Sequence, residues 1–179
     1  MKTKKGAYRY VVFGKNVVFK LPAIHYVLGV IKAIPKMVSQ GDGKFIWKEF
    51  KWGWRNFLRG IRENRSEYLC WKRMRSSFLV PTYANFFGLM NVQKLQRGIE
   101  PTREEMVKVF AELPLEARQS LQNVESHCLE PGNFLKTDFG YILVDYDNGT
   151  TPAADRYPFT DFLERWHTEL EAVLIPKIK

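Results

Sequence analysis

This sequence predicts an α+β fold, and three observations lead there. Alternating β-branched and aromatic residues around a tight turn open the chain. A long stretch with apolar residues at three- and four-residue steps follows. Towards the other end, "GNFLKTDFGYILVDYDNG" has the chemistry of strand, turn and strand, ahead of a last amphipathic helix. With 179 residues, of which 45% are apolar, the chain suits one packed domain, or one with an appendage. Wholesale disorder is excluded by the same figure.

In chain order, "YRYVVFGKNVVFKL" (8–21) reads as a β-hairpin turning at Gly14 to Asn16, and Pro22 ends its second strand. Residues 23–38 are apolar with weak helical spacing, and Pro35 is expected to break or kink their end. "GDG" at 41–43 is a loop. In residues 44–75, Trp47, Phe50, Trp54, Phe57, Leu58 and Ile61 make one apolar helical stripe. Lys48, Lys51, Arg55, Arg59 and Arg62 fall mostly elsewhere. Gly53 and Gly60 weaken a single long helix, so two helical pieces are expected, the second over about 61–75.

"TYANFFG" and "GLMNVQKL" are strand-like. Thr102 and Glu105 after Pro101 form a capping box for a helix to about Leu113. Pro114 opens another, to about Ser126. Strands then run over Asn133–Leu135 and Tyr141–Asp145 about a turn at Thr137–Gly140, and "TPAADRYP" is a loop. Thr160 caps a final helix whose buried stripe is Phe162, Leu163, Trp166, Leu170 and Leu174.

Charge is uneven. The net charge is +9, but residues 1–75 hold 18 Lys/Arg against 4 Asp/Glu, and residues 76–179 hold 10 against 15. One region therefore attracts anions: nucleic acid, anionic lipid, phosphorylated ligands or the chain's own acidic half. Cys70 and Cys128 have no partner at metal-ligand spacing, so a reducing, cytoplasmic setting is expected rather than a disulfide framework. No signal peptide or bilayer-crossing run is expected, and membrane contact would be peripheral.

The segment "SHCLEPGNFLKTDFGYILVDYDN" carries the most chemistry. Leu129, Pro131 and Asn133 match the L-x-P-x-N part of a protein-kinase catalytic loop. Asp145 follows the strand "YILV" where the metal-binding Asp of D-F-G stands. Upstream, "VVFK" resembles the strand that carries the kinase lysine. The chain thus resembles small bacterial kinase-like proteins, such as the YrbL family and the lipopolysaccharide-core sugar kinases.

That resemblance implies a shortened protein-kinase-like fold: a small antiparallel N-terminal sheet with helices, over about 1–97, and a reduced helical C-lobe over about 98–179. A basic aromatic insertion would lie near 22–60. It implies ATP and Mg²⁺ as cofactors, Lys20 on the phosphates and paired with Glu67, and Asn133 and Asp145 as metal ligands.

The usual catalytic Asp is replaced by Cys128, and no Gly-rich loop precedes the hairpin. Glu130 is the candidate substitute base. Cys128 beside His127 is the candidate nucleophile. A catalytically inactive pseudokinase that acts as a regulatory or binding module is the alternative, and the acceptor substrate is unnamed.

Simpler readings exist for each residue. Asn133 can cap a turn, "DYDNG" is a good turn sequence, Lys20 can be solvated, Glu67 can lie on a helix surface and Cys128 can be a small buried residue. The stretch 44–62 packs on its own domain, or meets an anionic membrane surface or acidic partner. Nucleic acid is the weaker alternative, since no recognition motif is present.

Overall fold

The structure, a computed structural model, describes residues 2–5, 9–39, 43–124, 126–146 and 159–175. It is α+β, with two sheets and six α-helices among the described residues. The "GDG" loop up to Asp42, the "TPAADRYP" loop and the end of "DYDNG" lie outside them.

Contacts divide the chain into two compact units. The first comprises Met1–Arg65 with Tyr83–Leu95, and the second Ser66–Thr82 with Gln96–Lys179.

The first unit holds β1 (Lys2–Lys5), β2 (Arg9–Phe13), β3 (Val17–Pro22), α1 (Ile24–Ser39), most of α2 (Gly43–Met74), and the hairpin of β4 (Thr82–Asn85) and β5 (Asn91–Lys94). The expected opening hairpin forms, with Val11 opposite Lys20 and Val12 opposite Phe19. The strand order is β1-β2-β3-β5-β4, and β5 joins β3 antiparallel with Asn91 opposite Lys20. Both long helices are thus inserted between two neighbouring strands.

Two details of these helices differ from a reading with breaks at Pro35 and between two helical pieces. Pro35 lies inside α1, which continues to Ser39, so one lost backbone hydrogen bond late in the helix does not end it. Residues 43–74 form one helix of 32 residues, not two pieces. Gly53 and Gly60 are both buried, and seven residues apart they share one face of α2. Each costs about 1 kcal/mol in helix propensity, which is too little to break a helix that docks along that face.

The docking is polar. Asn64 donates from Nδ2 to the carbonyls of Lys20 and Gly88, at 3.1 and 2.8 Å. Asn91 donates to the Asn64 carbonyl at 2.7 Å. Glu63 lies between two arginines, 2.7 Å from Arg59 Nε and 3.5 Å from Arg9 Nε.

The second unit has a conventional apolar core. Phe78, Leu79, Met106, Leu113, Phe134, Leu143, Phe162, Leu163, Leu170 and Leu174 are all buried in one cluster. Around it pack α3 (Arg103–Ala111), α4 (Leu115–Gln122), the hairpin of β6 (Phe134–Thr137) and β7 (Gly140–Leu143), α5 (Phe159–Arg165) and α6 (His167–Leu174). The capping box forms as expected: Glu105 N donates to Thr102 Oγ1 at 3.2 Å, and Thr102 N donates to Glu105 Oε2 at 2.8 Å.

Thr160, expected as a cap, is instead buried within α5. The single final helix is interrupted at Trp166, which precedes α6. The expected inward stripe otherwise holds, and Trp166 packs half-buried against the core.

Candidate functional site

The best-defined part of the site lies in the second unit. Two short 3₁₀ turns, Ser126–Leu129 and Pro131–Asn133, lead into β6. Pro131 suits the first position of such a turn, since its missing N–H would have no partner there.

The β6–β7 register pairs Phe134 with Leu143. One step outward, Val144 N donates to the Asn133 carbonyl at 2.8 Å. Asn133 is therefore held across the hairpin from Val144, and Asp145 is the next residue. The twelve-residue step from Asn133 to Asp145 is closed by this hairpin. The Asn133 side chain is oriented as well: Nδ2 donates to the Cys128 carbonyl at 3.2 Å. The amide plane is thus fixed by the backbone of Cys128.

Two supports hold the hairpin. Val80 N donates to the Leu143 carbonyl at 3.0 Å, and Leu143 N to the Phe78 carbonyl at 2.7 Å. At the turn, Gly140 has φ of 125°, and a Cβ there would collide with the Leu174 carbonyl oxygen and the Ile175 Cα. Only glycine lets the end of α6 approach so closely.

Tyr146 is the residue that sequence reasoning missed. It is fully buried beside Asp145. Its hydroxyl donates to the Val80 carbonyl at 3.1 Å and lies 3.0 Å from Thr82 Oγ1. Burial pushes its pKa well above the ordinary tyrosine value, and Glu67 adds to the rise, so the phenol stays protonated as a donor.

The other candidates are distributed as follows. Cys128 is 3% exposed, which closes it to a substrate, and the side chain of His127 lies outside the described residues. Glu130 is exposed. It lines an open groove of about 700 Å³ together with Arg103, Met106, Phe110, Arg118 and Leu129.

Lys20 belongs to the first unit, on β3, and is 5% exposed. Glu67 belongs to the second, on the last turns of α2, and is 0% exposed. Neither is a solvated surface charge, and buried charges persist only when paired or hydrogen-bonded.

Among the described residues, no group of three or more His, Cys, Asp or Glu side chains could hold a metal ion. Asn133 and Asp145 nevertheless offer amide and carboxylate oxygens, the hard donors that Mg²⁺ takes. A magnesium ion held by two protein ligands takes the rest from water and phosphate, so the donor set fits a metal that arrives with a nucleotide.

The chain was compared with protein-family models, with curated proteins and with solved structures, and none of them matches it.

Proposed function

We propose that this chain is a kinase-like nucleotide-binding protein, in which Asn133 and Asp145 hold Mg²⁺ against the phosphates of ATP. The observation that carries the reading is the backbone bond from Val144 to Asn133. It brings the backbone of Asn133 beside that of Val144, so that Asn133 and Asp145 both stand at the end of one short hairpin.

When bound, Mg²⁺ neutralises charge on the transferring phosphoryl group. What the chain supplies is orientation: the Cys128 carbonyl holds the Asn133 amide, and the Tyr146 hydroxyl fixes the backbone beside Asp145. If transfer occurs, the acceptor hydroxyl forms a bond to phosphorus as the bond to the ADP oxygen breaks. Its proton then goes to Glu130, the exposed carboxylate near the metal-binding loop.

A second reading has its own support. The position of the base carries a buried thiol, and a general base contributes about 10²–10⁴-fold. A pseudokinase that binds nucleotide and regulates a partner would keep everything described except transfer.

Titration of ATP with and without Mg²⁺, followed by calorimetry, tests the shared part. Mg²⁺ should tighten ATP binding, and Asp145→Asn should abolish that increment while leaving the melting temperature within a few degrees. Equal affinities with and without Mg²⁺ in the unmodified chain would sink the site. ATP turnover by the unmodified chain that Glu130→Gln slows would favour transfer over the binding-only reading.

A further inference from the structure

The first unit exposes several large apolar side chains. With successive residues turning by about 100°, α2 separates into three sectors. Gly53, Asn56, Gly60, Glu63 and Asn64 form the buried one. Lys48, Lys51, Arg55 and Arg62 form an exposed basic one. Between them runs a row of Trp47, Phe50, Trp54 and Phe57, with ring centroids 6.0, 6.4 and 5.5 Å apart in turn. Trp47 is 59% and Trp54 45% exposed. Lys51 Nζ stands 5.4 Å from the centre of the Trp47 ring, so the charge sits at the border of the aromatic row.

The row is extended by a loop. Its next member is Ile61, and Gly88 lies so close that a Cβ there would be 2.5 Å from the Ile61 carbonyl oxygen. Around Gly88, Phe86, Phe87 and Leu89 are all half or more exposed, and Phe87 is 92% exposed. Phe87 has φ of 54°, a left-handed conformation that is strained for a bulky residue. The loop is nevertheless pinned: Gly88 N donates to Asn85 Oδ1 at 2.8 Å, and its carbonyl accepts from Asn64. The chain thus holds a strained aromatic side chain out into solvent. Independently, α1 exposes Ile24, Leu28, Ile31 and Val38, whose spacing puts them on one helical face.

We propose that this face of the first unit binds the surface of an anionic phospholipid bilayer. In this arrangement α2 lies in the headgroup plane, with the Trp47–Phe57 row and the Phe86–Leu89 loop at the acyl boundary. The α1 row is a second apolar element of the same kind. An interfacial helix has this composition: Trp and Phe on one face, Lys and Arg on its flank.

Charge selects the occupant. Residues 23–62 carry eight Lys/Arg against two Asp/Glu. A second copy of the same face would therefore be repelled, whereas anionic headgroups are attracted. A nucleic acid would satisfy the basic sector but offer no apolar contact to Leu89, which the adjoining loop exposes. Among the described residues no helix is long and apolar enough to cross a membrane, so the contact proposed is one of lying on the surface.

Cosedimentation of the full chain tests this, with vesicles of phosphatidylcholine alone and of phosphatidylcholine mixed with phosphatidylglycerol. Association should require the mixed vesicles. It should weaken about fivefold for each of Lys48, Lys51 and Arg55 changed to Gln, and by about tenfold or more in Trp47→Ser/Trp54→Ser. Tryptophan emission should shift to the blue on binding, and less so in the double variant. All these side chains are exposed, so circular dichroism should be unchanged in each variant.

Absence of binding to mixed vesicles by the natively folded chain would overturn the proposal. So would full binding by the Trp47→Ser/Trp54→Ser variant, which would mean a purely ionic contact. Tighter binding to a single-stranded oligonucleotide would assign the face to nucleic acid. A lipid-free dimer dissociated by the same double variant would assign it to a second copy.

Discussion

The two units bury opposite kinds of side chain. In the second, the interior is Phe, Leu, Met and Val, closed around Phe134 and Phe162. In the first, the described buried side chains are mostly polar: Arg9, Lys20, Asn56, Glu63, Asn64, Asn91 and Gln93, against Val18, Ala23 and Val27. Trp47, Trp52, Trp54 and Phe87 stand outside. Burial of apolar area is the main favourable term in folding, so the second unit draws on the usual source of stability. The first relies more on hydrogen bonds with strict geometry, each worth little net but costly to break. It also leaves about half of the surface of Trp47, Trp52 and Trp54 uncovered.

That contrast is sharpest under truncation of an aromatic ring. Phe162→Ala in the second unit should cost about 3–5 kcal/mol, whereas Trp54→Ala in the first, which removes a half-exposed ring and its contacts with Phe50 and Phe57, should cost about 1–2 kcal/mol. Chemical denaturation of the two variants compares them directly, and equal losses would break the contrast.

Gly140→Ala comes next. The added Cβ meets backbone atoms of α6 at a positive φ, so a loss of roughly 2–4 kcal/mol is expected, measurable in the same denaturation experiment.

In the first unit the matching test is Asn64→Ala. It removes the donor to two buried carbonyls and should cost about 1–3 kcal/mol per carbonyl left unpaired. Hydrogen exchange should show the loss first at the β4–β5 loop. Thr102→Ala, which removes a side-chain cap on α3, should cost about 1 kcal/mol, read from the shift in melting temperature.

The smallest effect is one of pH. Glu171 accepts from the Ser77 hydroxyl and backbone N–H, and these bonds hold its carboxyl below the ordinary glutamate value. A depressed folded pKa stabilises above the unfolded pKa, and that stability is lost as the pH falls towards the folded value. Glu105 behaves alike, its carboxyl lowered by Lys136. Glu171→Gln should therefore lower the melting temperature slightly at neutral pH and flatten its decline in acid. Both carboxylates are largely exposed, so solvent screening keeps the change small.

Legibility in the sequence follows the same division. The hairpin of β2 and β3, the capping box at Thr102 and the inward stripe of Phe162, Leu163, Leu170 and Leu174 could be read because local pattern and burial agree there. The Asn133–Asp145 hairpin could be read because strand, turn and strand lie within one short segment.

In α2 the agreement fails. The apolar stripe runs beside the buried face, with Trp47 and Trp54 exposed and Phe50, Phe57, Leu58 and Ile61 half-buried, while the glycines mark the buried face itself. A pattern rule equates apolar with inside, and nothing in a single sequence says that this helix docks through Asn64 and Glu63 instead. Trp166 shows a smaller failure: its spacing suited the stripe, but the helix breaks at that residue. Tyr146 was passed over because its role depends on Val80 and Thr82, far away in the chain.

The path of the chain between units has a consequence for synthesis. It passes from the first to the second within α2, returns at Tyr83, and leaves again after Leu95. On a ribosome, β3 emerges early, but its neighbour β5 follows only after both long helices and β4. At ordinary elongation rates that wait is on the order of several seconds, far longer than a helix needs to form. In the later part of that wait, the nascent chain displays the Trp47–Phe57 row while the β3 edge is still unpaired. Whatever first meets the polypeptide at the exit tunnel therefore meets that row before the sheet is complete.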